Sequence, residues 1–120
     1  MGQLSFNQFP KWLEKNPSKL SEIYNAERQG FAKANFIEWK TPLDLAVVKM
    51  VDPSDPNILL ETFLVAISDE PIDKNLTQVA ETHLKMVNES IGGAPVSELF
   101  IRVDDDLNTL DYSIINIPTS

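Results

Sequence analysis

The sequence has 120 residues but no cysteine, only one histidine and only four glycines. The absence of cysteine excludes a disulfide framework, a thiolate nucleophile and a cysteine-ligated metal centre. The few glycines form no phosphate-binding motif, because Gly92 and Gly93 follow a predicted helix instead of opening one. A single imidazole also supplies too few ligands for a typical zinc site. We therefore expect neither a disulfide-stabilised, nor a nucleotide-binding, nor a zinc-dependent protein.

The chain also lacks a long apolar run. No stretch reaches the roughly 18 apolar residues that a membrane-spanning helix needs. Residues 1–6 show neither the charged region nor the apolar segment of a secretory signal peptide. These features predict a cytoplasmic protein that does not act at a membrane.

Positive charge is scarce over most of the chain. Residues 1–40 carry six Lys or Arg against four Asp or Glu, whereas residues 41–120 carry four against fourteen. So few cations do not suit nucleic-acid binding, which needs clustered Lys and Arg. An excess of carboxylates instead favours association with a basic protein partner, although it also serves solubility.

The first 30 residues predict a helical pair. Phe9 and Trp12 lie in the first helix, which has to end before Pro17. Asn16 is a suitable N-cap for the second helix, and Gly30 is a natural stop. Residues 31–39 and 43–51 follow as two strands, although a helix at either position is the main alternative.

The remaining elements are clearer. After a turn-rich segment at 52–57, the apolar run 58–67 predicts a central strand buried on both faces. Apolar residues at helical spacing predict a long helix over residues 76–91. Alternation in 98–103 and 110–115 predicts a closing hairpin.

This order predicts one α+β domain, residues 1–120. Its sheet is antiparallel, with four or five strands and helices packed on one face, an N-terminal helical pair, and one long helix between two hairpins. The element order resembles that of type III secretion chaperones and their relatives, except that a final helix is missing. The resemblance concerns element order alone and implies no site residue.

The sequence contains few candidates for catalytic or metal-ligating residues. His83 lies on or beside the apolar stripe of the long helix, so we interpret it as a hydrogen-bonded core residue and assign no catalytic residue. Asp104, Asp106 and Asn108 have the alternate spacing that begins a calcium loop. Thr109 and Ile115 occupy the positions where an EF-hand needs glycine and glutamate, which excludes that motif. A calcium-binding regulatory protein that uses Asp104, Asp106 and Asn108 in an acidic loop other than an EF-hand is the alternative hypothesis, and no other cofactor is expected.

The leading hypothesis is a non-catalytic binding protein that docks a basic partner, as an immunity-type inhibitor or a secretion-chaperone-like factor does. Its carboxylates concentrate at predicted loops and turns, where a surface of one sign speeds association. The sequence does not indicate whether the protein forms homo-oligomers. The predicted partner-binding residues are Asp52, Asp55, Asp69, Glu70, Asp73, Asp104, Asp105, Asp106 and Asp111.

Overall fold

The computed structural model describes residues 8–40, 45–69, 75–87 and 95–117. Its helices and strands in chain order are α1 (Gln8–Lys15), α2 (Lys19–Arg28), β1 (Lys33–Lys40), β2 (Leu45–Asp52), β3 (Asp55–Ser68), α3 (Leu76–Val87), β4 (Val96–Val103) and β5 (Thr109–Ile117). The predicted α+β class is confirmed. No helix in the described ranges has the length and apolar character needed to cross a membrane.

The five strands form one sheet in the order β1-β2-β3-β4-β5. All neighbouring pairs are antiparallel except β3 and β4, which are parallel. The sheet is therefore mixed, and the prediction of a fully antiparallel sheet needs this correction. The reason is that α3 connects β3 to β4 as a crossover. The chain thereby returns to the end of the sheet from which β3 runs before β4 begins, so the two strands are parallel.

The helices lie on both faces of the sheet, not on one as predicted. Val48 and Phe63 pack in one apolar cluster with residues of α1 and α2, whereas Val47 and Leu64 pack in a second cluster with residues of α3. Because successive residues of a strand point to opposite faces, the α1–α2 pair covers one face and α3 covers the other. Burial of both faces explains why these strands are apolar at consecutive positions.

The helical pair is fastened by aromatic residues. Phe9 and Trp12 are fully buried, and their ring centroids are 6.1 Å apart. Burial of a large apolar side chain stabilises a fold by about 2 to 3 kcal/mol, so these residues account for much of the attachment of α1. Asn16 does not cap α2 as predicted; Ser18 is the N-cap. The Asn16 N–H instead donates to the Trp12 carbonyl at 2.8 Å and so ends α1.

Only part of strand β3 is buried in the domain. Residues 61–65 are buried, in agreement with the predicted central strand. Ile58 and Leu60, however, are 47% and 37% exposed. The prediction of burial on both faces, made for residues 58–67, is therefore wrong for Ile58 and Leu60 in the first half of β3. That half extends beyond β4, which pairs only with residues 62–68 of β3.

Candidate functional site

The parallel pairing of β3 and β4 brings distant carboxylates to one end of the sheet. Ser68 pairs with Arg102, so Asp69 leaves β3 near the point where Asp104 leaves β4. Asp111 is also at this level, because it pairs with Arg102 across β4 and β5. We call this group the acidic end, and it comprises Asp69, Asp104, Asp105, Asp106 and Asp111.

Asp104 organises the loop between β4 and β5. Its Oδ1 accepts hydrogen bonds from the backbone N–H groups of Asp106 and Asn108, and its Oδ2 accepts one from Asn108 Nδ2, all at 2.9 to 3.0 Å. The bonds from Asn108 are the main cause of the lowered pKa of Asp104. The carboxylate of Asp104 thus stabilises the loop, whereas the side chains of Asp105 and Asp106 are exposed.

Helix α1 holds this loop against the domain. Trp12 Nε1 donates to Thr109 Oγ1 at 3.0 Å, and Asn16 Nδ2 lies 3.5 Å from the carbonyl oxygen of Leu107. Leu107 itself has φ 64°, in the left-handed region, which turns the chain back toward β5. The exposed carboxylates of the acidic end are therefore presented on a loop with fixed contacts at both ends.

Two cations lie at the acidic end. Lys15 Nζ donates to the backbone carbonyl of Asp106 at 2.5 Å, and Arg102 Nη2 is 3.0 Å from Asp111 Oδ2. The hydrogen bond with Asp111 raises the pKa of Arg102. Asp111 is therefore paired. Among the described residues, no cation forms an ion pair with the carboxylate of Asp105 or Asp106.

The other predicted partner-binding residues are not part of this group. Asp52 and Asp55 lie at the opposite end of β3, a strand of 14 residues. Asp52 Oδ1 accepts bonds from the N–H and Oγ of Ser54, and the side-chain bond is the main cause of its lowered pKa. Glu70 and Asp73 lie outside the described residues.

No observation favours the calcium hypothesis. Both oxygens of Asp104 already accept hydrogen bonds, one of them from the Asn108 side chain. Within the described ranges, no group of three or more His, Cys, Asp or Glu side chains is arranged to hold a metal ion. Binding of calcium by Asp104, Asp106 and Asn108 stays a prediction.

A buried glutamate on the α1–α2 face was not anticipated from the sequence. Glu61 on β3 is 6% exposed and accepts two hydrogen bonds from Arg28 of α2, from Nε and Nη2, both at 3.0 Å. The Ser97 hydroxyl donates to its Oε2 at 2.5 Å, and Arg28 Nη2 also donates to Asn116 Oδ1 at 2.8 Å. The sequence does contain one indication of this burial. Glu61 is two residues before buried Phe63 in β3, and residues two apart in a strand lie on the same face.

A second buried glutamate lies beneath α3. Glu98 on β4 is fully buried, and both of its carboxylate oxygens lie within 2.9 Å of His83 Nδ1. Burial raises the pKa of Glu98, and the bond from His83 opposes that effect. His83 is therefore half-buried and hydrogen-bonded to a buried carboxylate, so the predicted hydrogen bond is present although the imidazole is not fully in the core. The alternation in 98–103 does not reveal that α3 covers the side of the sheet on which Glu98 lies.

The described residues also form an open, mainly apolar pocket of about 250 Å³ where the α1–α2 pair meets β1 and β2. Its described lining consists of Leu13, Pro17, Leu20, Ala34 and Val48. None of these described side chains is titratable or nucleophilic. The acidic end is the better candidate for function.

Comparisons with protein-family models, curated proteins and solved structures found no match for this chain.

Proposed function

We propose that this protein is a non-catalytic, cytoplasmic binding protein whose acidic end docks a basic surface of a partner protein. Immunity-type inhibitors and secretion-chaperone-like factors work in this way. The observation that supports the proposal best is the convergence of Asp69 with the Asp104–Asp106 loop at the shared end of β3 and β4.

The charges at this end favour a cationic partner. Five carboxylates face two cations there, and one of those cations, Arg102, is already paired with Asp111. Charges of one sign on a surface accelerate the encounter with an oppositely charged partner and disfavour other partners. Because the loop is held by α1, little conformational entropy is lost when it docks. Asp105 and Asp106 are the residues that we expect to contribute most.

A matched pair of double variants tests the proposal. Asp105→Asn with Asp106→Asn removes two exposed carboxylates from the acidic end without altering the Asp104 contacts. Glu22→Gln with Glu81→Gln removes the same charge from exposed helix positions. Wild type and both variants are immobilised, and proteins captured from native lysate are quantified. We expect a basic protein that wild type and the helix variant retain and the loop variant loses.

Association with that purified protein is then followed at increasing ionic strength. The association rate constant should fall with salt, and the loop variant should associate about tenfold more slowly than the helix variant at low salt. Equal capture by the two variants, or an association rate that salt does not change, would contradict docking through the acidic end.

A further inference from the structure

The two outer strands of the sheet are protected very differently. Edge strands expose unpaired N–H and C=O groups, and proteins shield them with lysines, bulges or covering side chains. Strand β1 has all three devices. Lys33 stands at its start, its register shifts between Phe36 and Glu38, and its Ala34 N–H donates to Ser21 Oγ of α2 at 3.1 Å. Strand β1 is therefore closed to pairing.

Strand β5 has none of these devices along most of its length. Its nine residues include no lysine and no proline, and its single charged residue, Asp111, is paired with Arg102. The register with β4 is unbroken from Asp111 to Ile117. Among the described residues, only β4 pairs with β5, and bonds from outside the sheet end on β5 side chains, such as those of Thr109 and Tyr112.

Both apolar layers of the domain reach this edge partly exposed. Tyr112 and Ile114 pack against the cluster beneath α1 and α2, and Ile115 packs against the cluster beneath α3. All three are only half-buried, and Leu110 at the start of the strand is 48% exposed. A further strand with apolar side chains would extend the two layers and cover the remaining apolar surface.

Charge indicates which kind of strand would add to the free edge of β5. A second copy would bring together two chains of net charge −8, which is unfavourable. The acidic end lies at the amino-terminal end of β5, beside the first residues of the open edge. An antiparallel added strand, the more stable arrangement, would place its carboxyl end there. Lysine or arginine at that end of the added strand would face Asp105 and Asp106.

We propose that an extended segment of a basic partner protein adds to the sheet as an antiparallel strand along β5, with its cationic carboxyl end at the Asp104–Asp106 loop. This inference rests on the proposed function and names the structural element by which the partner is held. Backbone hydrogen bonds along β5 provide the affinity, and the acidic end provides orientation.

A synthetic peptide of alternating valine and threonine that ends in two lysines tests this inference. Its binding to the full chain is followed by amide NMR and hydrogen exchange. We expect shifts along β5 and slowing of exchange, on the order of tenfold or more, for the alternate amides between Leu110 and Asn116 that face away from β4. A peptide with the same side chains but N-methylated backbone amides cannot pair and should not protect β5. A peptide with its lysines at the amino end should bind more weakly.

The outcomes separate this inference from the proposed function. In the Asp105→Asn, Asp106→Asn variant the peptide should bind several-fold more weakly yet protect the same amides at saturation. Equal binding of the N-methylated peptide, or no binding of any peptide, overturns strand addition but leaves the capture experiment unaffected. A dimer that forms without peptide and protects β5 would identify a second copy as the occupant and also overturn the inference.

Discussion

The two faces of the sheet each bury one glutamate, and they differ in the cation that accompanies it. Beneath α1 and α2, Glu61 is held by Arg28, whereas beneath α3, Glu98 is held by His83. The arginine side chain stays protonated throughout the pH range in which proteins fold. The imidazole supplies a cation only when it is protonated. The α1–α2 face thus contains an ion pair that is present at every pH at which the protein folds, whereas the charge of the pair on the α3 face depends on protonation.

The two pairs also differ in how completely the carboxylate is satisfied. Glu61 receives two bonds from Arg28 and a third from the Ser97 hydroxyl. Glu98 is hydrogen-bonded to His83 Nδ1 of α3, although its carboxylate is the more deeply buried of the two. A buried carboxylate costs free energy that only close, multiple hydrogen bonds offset. Attachment of α2 is therefore the more robust, and attachment of α3 the more sensitive to pH.

The largest effect should follow from Arg28→Ala. It leaves the Glu61 carboxylate buried without its cation, so the free energy of unfolding should fall by about 3 kcal/mol. Urea unfolding at neutral pH measures the loss. Arg102→Ala is the matched control, because it breaks an arginine–aspartate pair that is exposed, and its effect should be much smaller. Similar losses for the two variants would show that burial does not distinguish these pairs.

A smaller effect is expected for His83→Ala. It leaves Glu98 buried without its partner, but the carboxyl can respond by taking up a proton, since burial already raises its pKa. We expect a loss of about 2 kcal/mol in the free energy of unfolding. Lys85→Ala on the exposed surface of α3 is the control, with a loss within about 0.5 kcal/mol. A loss for His83→Ala that exceeds that of Arg28→Ala would reverse the ranking of the two faces.

The sequence is a good guide to the elements and a poor one to their arrangement. Helical spacing locates α3, and turn formers at 52–57 locate the hairpin between β2 and β3. The direction of β4 is not encoded locally, because a strand after a crossover has the same alternation as a strand in a hairpin. The sequence also does not indicate which face of the sheet α3 covers, because β2 has apolar residues on both of its faces.

The candidate site was foreseen only in part. Local turn chemistry correctly places acidic residues in the turn at Asp52 and in the loop at Asp104. Which of these segments meet depends on strand direction, so the Asp104 loop could not be assigned to the Asp69 end of β3 instead of the Asp55 end before the parallel pairing was known. Glu61 and Glu98 were missed for a related reason, because their partners come from helices that are distant in the chain.

The smallest effect is a change in pH dependence, and it separates the two faces most directly. Burial raises the pKa of Glu98, so the folded protein binds this proton more readily than the unfolded chain does. The stability from this proton is fully present below the ordinary glutamate pKa and is lost as the pH rises through the raised value. Relative to Glu98→Gln, the wild type should therefore lose free energy of unfolding as the pH rises through this window. Urea unfolding of both proteins at several pH values measures the difference.

Glu81→Gln, which removes an exposed carboxylate from α3, is the control for the loss of one negative charge. Because His83 and Glu98 are coupled, the proton belongs to the pair, and the comparison does not require its assignment to either residue. If the curves of the wild type and Glu98→Gln stay parallel across the window, the pair beneath α3 does not titrate on unfolding. The His83–Glu98 pair would then contribute to stability independently of pH, as the Arg28–Glu61 pair does, and the proposed contrast between the two faces would fail.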